Sequence, residues 1–97
     1  MEIMGDVELA GRGWTGVRAW LPASVVGRLG PTSGTPLVRS LARTAVLRNA
    51  DREPVGLIGL GAGTEVGGRV SAVIHWDPDR TTRAEAEQLV RVLLDAE

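Results

Sequence analysis

The segment His75-Trp76-Asp77-Pro78-Asp79-Arg80 is the densest run of chemically versatile side chains in the chain. His75 is the only histidine. An unperturbed imidazole titrates near neutrality, so this is the side chain best suited to moving a proton at ordinary pH. Together with Asp77 and Asp79 it offers an imidazole and two carboxylates, a set that suits a divalent metal or an acid–base pair. The same residues also suit a purely structural task. Asp-Pro-Asp ahead of a capped helix is ordinary strand-to-helix chemistry, with Asp77 or Asp79 accepting hydrogen bonds from backbone amides. The structural use is preferred, so no catalytic or metal site is assigned. His75, Asp77 and Asp79 stand as candidates for an alternative reading, a small enzyme or metal-dependent binder.

The stretch Val55-Gly-Leu-Ile-Gly-Leu-Gly-Ala-Gly-Thr64 resembles the opening of a dinucleotide-binding unit, with Gly59, Gly61 and Gly63 after an apolar run. Such a site needs a helix immediately after the glycines, its N-terminus facing the pyrophosphate. Here Thr64 holds the place of the third glycine, and Gly67-Gly68 would break a helix in its first turn. The strand-like VSAVIHW then begins too soon for a crossover helix. The expectation is a loose hairpin between strands 54–61 and 69–76, with no cofactor bound. Gly56 and Gly59 inside the first of these strands suggest a bulge or a close backbone approach.

Other chemistries find little support. Cysteine is absent, which removes disulfides, thiolate catalysis and zinc–cysteine sites. None of Ser24, Ser33, Ser40 and Ser71 lies in a nucleophile elbow. All eleven basic residues are Arg, Phe and Tyr are missing and Asn occurs once, a composition expected of a small protein from a GC-rich bacterial genome. Net charge is −1, but it is unevenly spread: residues 11–52 hold seven Arg against Asp51, whereas 53–97 hold four Arg against eight acids. Arg28, Arg39, Arg43, Arg48 and Arg52 form a basic region around an expected first helix. A nucleic-acid-binding module would interleave such a patch with aromatics on a basic domain, so that reading ranks third.

The elements that must position these residues follow from periodicity. Residues 2–10 alternate, with Ile3, Val7 and Leu9 on one face and Glu2, Asp6 and Glu8 on the other. In 14–21, Val17, Ala19 and Leu21 oppose Trp14, Arg18 and Trp20, and the two strands should form a hairpin. Pro22 ends the strand, and residues 23–29 make a short helical turn stopped by Gly30-Pro31. Thr35 as N-cap and Pro36 as first residue predict a helix from 36 to about 49, with Leu37, Val38, Leu41, Ala45 and Val46 inward and Arg39 and Arg43 on its polar face. Asn49-Ala50-Asp51 ends it. In strand 69–76, Val70, Ala72, Ile74 and Trp76 share a face and His75 lies on the other. Thr82-x-x-Glu85 is a capping box. It opens a helix with Ala86, Leu89, Val90 and Leu93 buried, Glu87 paired with Arg91, and Val92 and Leu94 off the stripe.

The order is therefore ββαββα: one α+β domain over 1–97, a four-stranded antiparallel sheet with two helices on one face. Trp20-Leu21-Pro22 echoes Trp76-Asp77-Pro78, and Leu37–Leu41 echoes Leu89–Leu93, which suggests a duplicated ββα unit. Such a sheet leaves one face short of cover. Trp is enriched at interfaces, so Trp14, Trp20 and Trp76, with Val92 and Leu94, are the interface candidates. The functional expectation is a cytoplasmic, non-enzymatic accessory protein that forms a homodimer and binds a protein partner. No apolar run reaches the length of a membrane span.

Overall fold

The computed structural model describes residues 2–9, 13–31 and 43–95. In chain order the elements are β1 (Glu2–Leu9), β2 (Trp14–Pro22), a 3-10 segment (Ala23–Arg28), β3 (Gly30–Pro31), β4 (Arg43–Arg48), β5 (Pro54–Val66), β6 (Arg69–Trp76) and α1 (Arg83–Asp95). The strands form a six-stranded sheet in the order β1-β2-β6-β5-β4-β3, each neighbouring pair antiparallel. The class is α+β, as expected. The predicted four strands and two helices are instead six strands and one described helix.

The difference arises in residues 43–48. They form β4, where Ala45 and Leu47 stand opposite Ile58 and Gly56 and join the buried cluster, while Val46 is 49% exposed. The β-branched residues Thr44 and Val46 and the alternation of inward Ala45 and Leu47 favour a strand. They outweigh the i,i+4 spacings that suggested a helix. Residues 36–42, including Leu37, Val38, Arg39 and Leu41, lie outside the described residues, as do Thr35 and Pro36. Asn49 closes the β4–β5 turn instead of ending a helix: its side-chain oxygen accepts from the amides of Asp51 (2.9 Å) and Glu53 (3.0 Å), and Arg52 adopts a φ of 63°.

The β5–β6 hairpin is longer than expected. β5 runs on to Val66, and Gly67 (φ 59°) and Gly68 (φ 78°) make the two-residue turn. Positive φ at both central positions is what a type I′ turn demands, and glycine meets it without strain. Leu60 faces Ala72 and Glu65 faces Val70, so residues 61–64 stand against Ser71 alone. Of the glycines that imitate a phosphate loop, Gly59 is in the regular ladder opposite Val73, and Gly61 and Gly63 fall in an irregularity of the strand.

One face of the sheet carries the core. Val17, Ala19 and Leu21 of β2, Ile58 and Leu60 of β5, and Val70, Ala72, Ile74 and Trp76 of β6 cluster with Val25 and Leu29 and with Ala86 and Val90 of α1. α1 opens as the capping box predicts: the Glu85 amide donates to the Thr82 hydroxyl (3.2 Å), which donates to the Glu85 carboxylate (3.2 Å). Glu87 pairs with Arg83 one turn earlier, at 3.3 Å, in place of the expected Arg91. Leu94, expected off the stripe, packs against the core with Leu89 and Leu93. Among the described residues no helix is long and apolar enough to cross a membrane.

The duplication does not survive. Trp20 and Trp76, which open their Trp-x-Pro triplets, lie on opposite faces of the sheet, because Thr15 stands opposite Trp76 and Trp20 opposite Ser71. β1 also departs from simple alternation. Ile3 pairs with Ala19 but Gly5 pairs with Arg18, so Met4 is an extra residue. A bulge of this kind reverses the face of what precedes it, which sets Ile3 on the face of Asp6 and Glu2 on the face of Trp20.

Candidate functional site on the second face of the sheet

The face away from α1 is assembled by register. Gly16, His75, Leu57 and Val46 form one row across β2, β6, β5 and β4, and Arg18, Val73, Gly59 and Thr44 form the next. Trp20 and Ser71 follow, with Glu2 beside Trp20 on β1. Neither α1 nor the 3-10 segment packs here, since both contribute to the core on the opposite side. Trp14, Trp20, Leu57 and Val73 are consequently only half-buried and Arg18 is exposed.

His75 is buried, as are Gly16 and Gly59 near it. It lies on this face, as its alternation with Ile74 and Trp76 implies, yet only 6% of it is exposed and its Nδ1 has no hydrogen-bond partner. Gly16 supplies the space. A Cβ there would fall 2.5 Å from His75 Cδ2 and 2.7 Å from the Ile74 carbonyl oxygen. Burial holds the imidazole below its ordinary pKa, because a dry site disfavours the charged form.

Asp77 and Asp79 serve the strand-to-helix turn. The Asp77 carboxylate accepts from the Asp79 amide (3.0 Å) and meets Arg80 Nε at 3.5 Å, while the Asp77 amide donates to the Val55 carbonyl (2.9 Å). Arg80 continues to Glu53 at 3.4 Å. Asp79 is exposed. Among the described residues no group of three or more His, Cys, Asp or Glu side chains is placed to hold a metal ion. Buried Thr81 carries a second unpartnered polar atom, Oγ1.

The basic region does not line a helix. Arg43 lies in β4, with Nη1 donating to the Leu29 carbonyl (3.1 Å). Arg48 Nη1 donates to the Arg52 carbonyl (3.0 Å), and Arg28 reaches the Ser24 carbonyl (3.4 Å). These guanidiniums brace turns and neighbouring segments, and Arg39 lies outside the described residues. Of the interface candidates, Trp76 is buried in the core, Trp14 and Trp20 stand on the second face, and Val92 is exposed on α1.

A rim feature escaped the periodicity. Arg69 lies with Cζ 5.4 Å from the Trp20 ring centroid and pairs with Glu2 at 2.8 Å. Glu2, Trp20, Leu21, Pro22, Gly68 and Arg69 line an open cleft of about 380 Å³. Its elements come from three strands, and no local motif joins them. Gly16 was legible in principle: in Trp14-Thr-Gly-Val-Arg-Ala-Trp20 it interrupts the face that carries Trp14, Arg18 and Trp20. Comparison with protein-family models, with curated proteins and with solved structures finds no match for this chain.

Proposed function

We propose that this protein is a non-enzymatic interaction module that associates with a second copy of itself through the second face of the sheet. The observation that carries the reading is one continuous surface of Trp14, Trp20, Leu57, Val73 and Val46 with no described helix laid over it. Half-buried aromatic and branched apolar groups gain most from being sealed against another surface. Twofold pairing sets the same patch of both copies against each other and so buries it on each side at once. A net charge of −1 opposes the approach of two copies only weakly.

Light scattering at micromolar concentration tests this. The wild type should give twice the 10.3 kDa chain mass, and Val46→Glu should return it to one chain. Val92→Glu, on the exposed side of α1, should leave the pair intact. A wild-type mass of one chain removes the reading, and loss of the pair only in Val92→Glu moves the contact to α1.

A further inference from the structure

We propose that His75 and Gly16 form an acid-sensitive joint between β2 and β6, at which protonation of this imidazole parts the two strands. The proposal goes beyond self-association and does not depend on it.

The geometry is that of a closed slot. The ring sits over Gly16 so tightly that a methyl group there would overlap both the imidazole and the β6 backbone. Nδ1 is shut off from solvent and bonded to nothing. A neutral imidazole tolerates this with Nδ1 as the unprotonated nitrogen. An imidazolium carries N–H on both nitrogens, and the buried Nδ1 has no hydrogen-bond partner among the described residues.

The surroundings offer the cation little else. Gly16 faces it from β2, with Trp14 and Arg18 on either side. Leu57 faces it from β5, between Val55 and Gly59, and β6 itself adds Val73 and, past the strand end, Asp77. Arg18 and Asp77 are the charged groups among these. Arg18 is a like charge, and the Asp77 carboxylate is already held by the Asp79 amide and Arg80. α1, with Arg83 and Glu87, packs on the opposite face.

Burial lowers the pKa of His75 in the folded chain, whereas in the unfolded chain it titrates near about 6.5. The unfolded state therefore binds more protons below that value. Stability is unaffected by His75 above about pH 6.5 and falls as the pH drops beneath it. The charged ring reaches water by swinging off Gly16, which removes the packing that closes β2 against β6 at this row and leaves the pairing there easier to open.

The test compares wild type with His75→Gln between pH 7.5 and 5 by denaturant unfolding, together with NMR titration of the single imidazole and amide exchange. The wild-type folding constant should fall relative to the variant by up to about tenfold per pH unit below about 6.5. The imidazole midpoint should lie under that value, and amide protection, taken relative to the intrinsic exchange rate at each pH, should fall first along Thr15–Pro22 and Arg69–Trp76. Parallel pH profiles, or a loss of protection spread evenly over β4 and β5, would overturn the joint. If His75→Gln does not fold, the wild-type titration decides, and a midpoint at or above about 6.5 rejects the proposal.

Discussion

On the face that carries α1, Val17, Ala19, Leu21, Ile58 and Ile74 are wholly withdrawn from water; on the opposite face of the same strands, Val46 is 49% exposed and Trp14, Trp20, Leu57 and Val73 are half-buried. Alternation along β2, β5 and β6 sorts residues into these two sets without regard to which set will be covered. Among the described residues, cover comes from the 3-10 segment and α1. The strict apolar choice on one side, and the mixture of Trp, Arg, Gly and His on the other, follow from where those two segments pack. A face sealed within its own chain selects for filling volume, whereas a face left open can carry groups that meet something else.

The sharpest way to break the comparison is to cut one large side chain from each face. Ile74→Ala should cost about 2–5 kcal/mol in denaturant unfolding, the range for emptying a packed core site. Leu57→Ala, one residue position across from His75, should cost less than half as much. Equal losses would mean that the second face is as well sealed as the first. Next in size is Gly16→Ala, expected to cost about 1–3 kcal/mol because the methyl group has to displace His75 or the Ile74 carbonyl. Gly5→Ala, on the same face over open space, should stay close to wild type in the same measurement.

Smaller effects sharpen the picture of how α1 is fastened to its face. Thr82→Ala removes the cap on the Glu85 amide and should cost about 1 kcal/mol, read as a drop in melting temperature with the sheet's spectrum retained. Smallest is Glu2→Gln at the rim. The Glu2–Arg69 pair lies between side chains 68% and 54% exposed, so the loss should stay under about 0.5 kcal/mol and vanish in high salt.

Much of this division was legible from period alone. The inward sets of β2 and β6, the short helical turn after Pro22, and the capped last helix with Ala86, Leu89, Val90 and Leu93 inward all emerge from alternation, turn residues and caps. β4 was not legible, because Arg43–Arg48 is short enough for helical and strand periods to fit nearly the same apolar positions, and pairing with β5 decides between them. The Met4 bulge was hidden for a related reason: a single inserted residue reverses a face without leaving a mark in composition. At the site, His75 was assigned to the correct face. Its burial could not be foreseen, since the residue that accommodates it, Gly16, is distant in sequence and becomes its neighbour only through the β2–β6 register.

That register also divides the route by which the chain acquires its fold. β1 and β2 form one local hairpin, and β4, β5 and β6 succeed one another through short turns, so each group needs only nearby segments to meet. The contact between β2 and β6 joins residues as remote as Thr15 and Trp76, and closing so long a loop must precede any gain from it. Folding should therefore wait on one late docking step between two preformed pieces. The same seam that holds the imidazole is then the last to be made and, by microscopic reversibility, the first to come apart.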